Sequence, residues 1–226
     1  MCGRFTNEMT WGEIHALYSI HDGPPPSNMP PRYNIAPTQR VNFAHLDSAG
    51  NIELDYGRWW LVPFFAKQLP KAAMFNARIE TADTSGAFRE AFKTKRCLIP
   101  ADGYFEWTVS ETDRKKEPWL LKMPDGNGFS FAGLWAYNHV LDVTSCTIIT
   151  APAVDQIARI HTRMPVILAP SAYSDWLDLD RQGDNAKRVL IDGHIDDRLE
   201  FYRVSRDVNS SRYEGTDTKK PIVNSA

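Results

Sequence analysis

Residues 40–56, Arg40-Val41-Asn42-Phe43-Ala44-His45-Leu46-Asp47-Ser48-Ala49-Gly50-Asn51-Ile52-Glu53-Leu54-Asp55-Tyr56, set two strand-like runs around a cluster of turn formers. Asp, Ser, Gly and Asn supply local hydrogen bonding and backbone freedom, so the stretch predicts a β-hairpin pairing Arg40–Leu46 with Ile52–Tyr56. Further strand-like runs follow near 73–79, 96–109, 118–123, 129–137, 143–150, 163–168 and 199–204, with short helical patterns near 85–93, 153–160 and 171–178. There is no internal repeat and no regular β-α-β alternation. The expected class is therefore α+β, a single compact β-rich domain with short peripheral helices.

Towards the N-terminus, Thr10-Trp11-Gly12-Glu13 has the form of a capping box, and Trp11, Ile14 and Tyr18 recur at helical spacing up to Gly23-Pro24. This predicts one short amphipathic helix behind a free N-terminal tail. Residues 24–31 are proline-rich and lack backbone donors, which suits a stiff surface loop. The charged run Glu111–Glu117 suits a solvated hairpin tip, and the polar segment after Tyr213 a loosely held tail. The core is expected over about residues 2–210 of one domain, 1–226.

The chain has 226 residues, with 26 Lys and Arg against 28 Asp and Glu, so its net charge is -2. A strongly basic nucleic-acid binder is excluded on charge; any DNA contact must come from a local basic groove. Cys2, Cys97 and Cys146 lie far apart without a C-x-x-C pair, which argues against a clustered zinc site and a disulfide framework and suits a reducing cytosol. No secretory apolar run and no membrane span are expected, and no cofactor or metal is called for.

Five segments carry candidate chemistry. In Met1-Cys2-Gly3-Arg4-Phe5, the small second residue permits removal of Met1, leaving Cys2 with an α-amine and a thiol on adjacent carbons. The amine titrates near ~8 and the thiol near ~8.5, so both are expected to offer nucleophile at neutral pH. An aldehyde would give an imine and then a five-membered thiazolidine. Arg4 adds a cation suited to phosphate. Many cysteines near a terminus do nothing, however, and position alone does not choose between these readings.

In Met74-Phe75-Asn76-Ala77-Arg78-Ile79-Glu80-Thr81, alternation sends Phe75, Ala77 and Ile79 inward and Asn76, Arg78 and Glu80 to the other face. That pattern suits a plain half-buried strand, or an Asn and Arg holding a sugar hydroxyl and a phosphate. Within Cys97–Trp107, Glu106 sits among large aromatics, where desolvation would raise its pKa and make it a general acid, unless its head reaches solvent. In Ala151–Pro165, Val154, Ile157 and His161 share a helical face; His161 is either a helix cap or an acid/base group working with Arg163. In Trp59-Trp60-Leu61-Val62-Pro63-Phe64-Phe65, rings not claimed by the core could stack unpaired bases, with Lys67 behind them.

Taken together, Cys2-Gly3-Arg4-Phe5, Arg32-Tyr33-Asn34-Ile35-Ala36-Pro37-Thr38, Asn76–Thr81, the Cys97–Trp107 run and Ile160-His161-Thr162-Arg163-Met164-Pro165 resemble the SRAP family of SOS response-associated peptidases. The likeness spans residues 2 to about 210. It implies a mixed barrel and sheet with a positively charged groove, and a monomer that crosslinks itself to abasic sites in single-stranded DNA, cytoplasmic and nucleoid-associated when on DNA. It assigns Cys2 as nucleophile, Asn76 as positioning the N-terminus and sugar, Glu106 as acid/base and His161 as stabilising the ring-opened sugar. Arg4, Arg78 and Arg163 would hold phosphates, and Phe64 and Phe65 would stack near a junction. Trp60 stands where the family often has glycine, and Val204–Asn209 resembles its closing motif. Two rival activities remain: an N-terminal-cysteine peptidase, and a noncovalent single-stranded DNA binding module.

Overall fold

The structure is a computed structural model that describes residues 2–20 and 30–222. The hairpin is present as β3 (Arg40–Leu46) and β4 (Ile52–Trp59), paired from Leu46↔Ile52 to Arg40↔Arg58. Its turn is held by the Asp47 carboxylate, which accepts the amides of Ala49 and Asn51, both at 2.8 Å, with Gly50 left-handed at φ 85°. Gly57 is needed for a different reason: a Cβ there would lie 2.9 Å from the Thr144 carbonyl oxygen of the neighbouring strand.

Around this hairpin β6 (Arg96–Ala101), β9 (Phe129–Asn138) and β10 (Val143–Pro152) complete a ring in which β10 pairs both β4 and β9. The ring β4-β3-β6-β9-β10 is a small closed barrel. Attached to it are β5 (Asn76–Arg78) and β11 (Arg163–Pro165) on β10, and β12 (Ile167–Leu168) on β9. A second, five-stranded sheet takes β1 (Phe5–Asn7), β2 (Arg32–Ile35), β7 (Gly103–Val109), β8 (Lys116–Lys122) and β13 (Glu200–Arg203), in the order β13-β8-β7-β1-β2. The β-rich α+β expectation is met.

Alternation along the barrel strands explains two cores. Phe43, Trp59, Cys97, Ile99, Phe131, Cys146 and Ile148 fill the interior together with Phe5 and Tyr104 from the second sheet. Ala44, Leu98, Leu134 and Ile149 point the other way, onto α1 (Trp11–Tyr18), α2 (Arg89–Thr94), α4 (Tyr173–Leu177) and α5 (Gly183–Asp192). Each fully buried aliphatic or aromatic side chain contributes roughly 1.5–3 kcal/mol. Arg96, itself buried, ties these layers by donating to the carbonyls of Phe92, Trp176, Asp178 and Arg181.

Several expectations change. The run 96–109 is two strands that leave for different sheets at Asp102, because Asp102 accepts from the Thr6 hydroxyl at 2.5 Å and the Glu8 amide at 3.0 Å. The run 163–168 divides into β11 and β12, 73–79 pairs only over Asn76–Arg78, and α5 lies in a segment for which no element was expected. The first helix has its capping box but ends at Tyr18, with Ser19 left-handed; the 24–31 loop falls, up to Met29, outside the described residues. The N-terminal tail is not free: Cys2 is fully buried, and Phe5 pairs with Ile35 and Tyr104. Nor, over its described residues 214–222, is the segment after Tyr213 loose. Lys219 reaches Glu8 at 2.6 Å and Asp102 at 2.8 Å, and the Ile222 amide donates to the Arg203 carbonyl at 2.9 Å. No described helix is long and apolar enough to cross a membrane.

Candidate active site

The second sheet delivers the N-terminus to one end of the barrel. Phe5 is the anchor: its ring meets Trp59 at 4.9 Å and Phe131 at 5.6 Å, while the Arg4 carbonyl accepts from the Phe105 amide at 2.9 Å. Cys2 is thereby carried into the core cluster that includes Tyr104 and Met164. Its thiol lies 4.0 Å from the Arg4 carbonyl, and burial, reinforced by the negative charge of Glu106, pushes its pKa far up. This corrects the expectation of a thiol titrating near neutrality: with residue 1 attached, the sulfur is held as S–H.

Asn76 comes from the barrel side. Its Nδ2 donates to the Cys2 carbonyl at 2.8 Å, fixing the backbone of the candidate nucleophile. Its Oδ1 is buried without a hydrogen-bond partner among the described residues, an acceptor suited to an amine or a sugar hydroxyl. Alternation holds as read, with Ala77 and Ile79 inward and Arg78 and Glu80 exposed.

Glu106 projects from β7 on the same face as Tyr104 and is 2% exposed. Burial raises its carboxyl pKa, with the charge of His161 acting in the opposite direction. The reading of a protonatable carboxyl among aromatics is met. The helix before His161 is a single turn, α3 (Asp155–Ala158), and His161 is pinned instead by the next strand. Its Nδ1 lies 2.9 Å from the Arg163 carbonyl and 3.0 Å from the Arg163 amide. Nε2 is the nitrogen turned away from that backbone. Cys2, Asn76, Glu106 and His161 thus come from four separate strands and loops to one locus, with Cys2 and Glu106 buried and Asn76 and His161 half-buried.

The arginines divide. Arg163 is committed to protein, with Nη1 and Nη2 on the Glu80 carboxylate at 2.6 and 3.0 Å and Nη2 on the Thr150 carbonyl at 2.7 Å. Those hydrogen bonds hold the Glu80 pKa below the usual range. Arg4 is half-buried: Nη1 donates to Asn34 Oδ1 at 2.8 Å and to the Val208 carbonyl at 2.9 Å, and burial lowers its pKa. Arg78 alone of the three is exposed. Phe64 and Phe65 are 56% and 57% exposed, edge to face at 5.3 Å. Their loop is stapled by Asn138 Nδ2, which donates to the carbonyls of Pro63 and Ala66 at 2.7 and 2.9 Å. Trp60 lies 5.6 Å from the Phe75 ring, joining that loop to the strand of Asn76.

Two residues of this locus were not anticipated. Tyr104 is fully buried, its hydroxyl has no partner among the described residues, and burial followed by the charges of Cys2, Asp196 and Glu106 raises its pKa. Glu80 appeared in sequence only as one polar position of a strand; its bidentate hold on Arg163 required the fold. The parity of Tyr104 with Glu106 was the available signal for the former.

The family model described as SOS response associated peptidase matches residues 1–211. The chain belongs to the SRAP family. Among SRAP relatives, it is 35% identical over 216 residues to the abasic site processing protein YoaM of Bacillus subtilis (strain 168), covering 94% of each chain. The abasic site processing protein YedK of Escherichia coli (strain K12) is 29% identical over 231 residues, covering 98% of this chain and 100% of YedK. A crystal structure of a phage-related protein from Bordetella bronchiseptica superposes with a TM-score of 0.74 at 26% identity, covering 94% of this chain and 99% of that one. One from Bacteroides thetaiotaomicron, at 21% identity, shares the fold with a TM-score of 0.80, covering 98% of this chain and 100% of that one. The SRAP match therefore takes in all four clustered residues.

Proposed function

We propose that this protein, as a monomer, captures abasic sites in single-stranded DNA by forming a thiazolidine through the amine and thiol of a processed Cys2. The reading is supported above all by the carbonyl of Cys2 being held by Asn76 beside the buried Glu106. An amine and a thiol fixed on one residue need a carbonyl carbon, and a carboxyl whose pKa is raised by burial suits proton donation in the dehydration of the first adduct. The names of the relatives YoaM and YedK as abasic site processing proteins supply the aldehyde.

The steps balance without an oxidant or a cofactor. The ring-opened sugar offers its C1′ aldehyde; the Cys2 amine adds to give a carbinolamine. Protonated Glu106 donates to the carbinolamine hydroxyl, which leaves as water, giving an iminium. The thiol sulfur adds to that carbon, and its proton passes to the Glu106 carboxylate. One C=O is replaced by a C–N and a C–S bond with loss of one water. His161 stabilises the opened sugar through Nε2, Asn76 Oδ1 orients the amine, and Arg78, with Arg4 and Arg163, faces phosphates. Phe64 and Phe65 stack on bases beside the lesion. The site of action is cytoplasmic DNA, which fits three unpaired, buried cysteines.

The test begins with intact-mass measurement, because the chemistry needs the α-amine that only removal of Met1 provides. Processed protein is then incubated with an abasic single-stranded oligonucleotide and run on a denaturing gel. A Cys2-dependent shifted band is expected, lost in Cys2→Ala. A processed wild type that gives no band, or a Cys2→Ala variant that still does, refutes the mechanism; turnover of peptides in its place would favour the peptidase.

A further inference from the structure

The hairpin that organises the barrel also sorts charge. On β4, Glu53 and Asp55 share one face, where Asp55 lies 3.9 Å from His45, and Tyr56 and Arg58 end the other. Arg58 is directly opposed across the ladder by Arg40. Like charges so placed repel, and a carboxylate between them would be the ordinary remedy. There is none. Among the described residues neither arginine has a carboxylate partner, and neither has Arg32, whose Nη2 and Nη1 donate to Gln39 Oε1 at 2.6 Å and the Arg40 carbonyl at 3.3 Å.

The neutral acceptors around them leave the positive charge standing. Arg40 Nη2 donates to the Tyr56 carbonyl at 2.7 Å while its guanidinium lies 4.6 Å from the centre of the Tyr56 ring, which is 43% exposed. Arg58 Nε is buried without a hydrogen-bond partner. Beside them opens a cleft of about 410 Å³ whose walls include Trp11, Arg32, Tyr56 and Asn7. A net-negative chain that gathers three arginines with no carboxylate partner among the described residues, next to an exposed ring and a cleft walled by a second aromatic, presents a surface for a polyanion carrying flat groups.

The patch is joined to the Cys2 locus by two short paths, each closed by a hydrogen bond. Arg32 is two residues, about 7 Å, along β2 from Asn34, which holds Arg4. Arg58 precedes Trp59, whose Nε1 donates at 2.9 Å to the carbonyl of Phe75, the neighbour of Asn76. We propose that Arg32, Arg40 and Arg58, with Tyr56, form a second contact for single-stranded nucleic acid, holding the strand that flanks the captured site. This rests on the proposed function for its choice of polyanion. Phosphates take the guanidinium donors, and a base stacks on Tyr56.

The test is fluorescence anisotropy with an undamaged oligo-dT 20-mer over a KCl series, alongside Cys2-dependent crosslinking of the abasic strand at saturating concentration. Arg32→Gln with Arg40→Gln is expected to weaken oligo-dT binding at least tenfold and to flatten the log–log salt slope by about 1.4, from ~0.7 per phosphate contact on a single strand. Tyr56→Ala should weaken binding several-fold with the slope unchanged. Arg188→Gln, the same charge change on the exposed side of α5, should alter neither, and Arg32→Lys with Arg40→Lys should retain the slope. Affinity within twofold of wild type and an unchanged slope in the double Gln variant overturn the contact, whatever the crosslinking result. Patch-dependent oligo-dT binding without any crosslink would keep the contact and refute the thiazolidine. Equal patch-dependent binding of duplex would overturn the single-strand assignment.

Discussion

Two carboxylates near the Cys2 locus experience opposite physics. Glu106, on the inner wall, is 2% exposed and held protonatable by burial; Glu80, on the rim, is exposed and held ionised by the two hydrogen bonds from Arg163. The wall can therefore keep a transferable proton to higher pH than an exposed carboxylate would, whereas the rim keeps fixed charges of both signs. Chemistry and strand-holding are divided between the regions by solvent access.

The largest effect belongs to the wall. Glu106→Gln should slow single-turnover crosslinking by about 10²–10⁴, the range that general acid–base groups supply. The pH profile carries the sign. The proton-donating step needs the protonated carboxyl, so the wild-type rate should fall as pH rises through the raised Glu106 pKa, and that limb should vanish in Glu106→Gln. A variant within threefold of wild type, or one that keeps the limb, would remove Glu106 from proton transfer.

On the rim a smaller and signed effect is expected. Arg163→Gln should weaken abasic-strand binding about tenfold if the guanidinium also reaches phosphate, while Glu80→Gln, which releases Arg163 from its carboxylate, should tighten it two- to threefold. The pair is partly exposed, so its loss costs at most about 1 kcal/mol of stability and folding should survive both changes. Should both variants weaken binding equally, Arg163 acts only as a strut between Glu80 and Thr150, and phosphate is held elsewhere.

How far this division could be read in sequence depends on the range of the cause. Strand parity is local, so the outward face of Asn76, Arg78 and Glu80 and the aromatic setting of Glu106 were legible, as was the 40–56 hairpin. The break at Asp102 was not, because it is made by Thr6 and Glu8 from nearly a hundred residues away. For the same reason the short apolar-poor start of the chain looked like a loose tail: its burial depends on Phe5 finding Trp59 and Phe131. The tail after Tyr213 misled in the same manner, since Lys219 has its partners at Glu8 and Asp102. Cys2, Asn76, Glu106 and His161 could be named from motif resemblance, but the hydrogen bond from Asn76 to Cys2 and the commitment of Arg163 to Glu80 are properties of the fold.

A third carboxylate shares the burial of Glu106 and has no reacting atom assigned beside it. Asp196 is 3% exposed, and burial pushes its pKa up to about 7, although Oδ1 accepts the Ile167 amide at 2.9 Å. Its other oxygen lies 3.6 Å from His194 Nδ1, and Asp197 adds like charge. Because the folded state holds this proton more tightly than the unfolded chain, the stabilisation is complete below pH ~4 and is lost as pH rises towards about 7. Asp196→Asn keeps an oxygen for Ile167 and removes the titration. Its Tm, relative to wild type, should therefore climb between pH 4 and 7 and level off above, by about 2–4 °C for each kcal/mol in a domain of this size. The crosslinking rate should stay within twofold, because burial alone gives a carboxyl a raised pKa and only proximity to Cys2 gives it a reaction. Parallel Tm curves would mean that Asp196 is hydrated in solution, and a lost crosslink would extend the reacting wall from Glu106 through Tyr104 to Asp196.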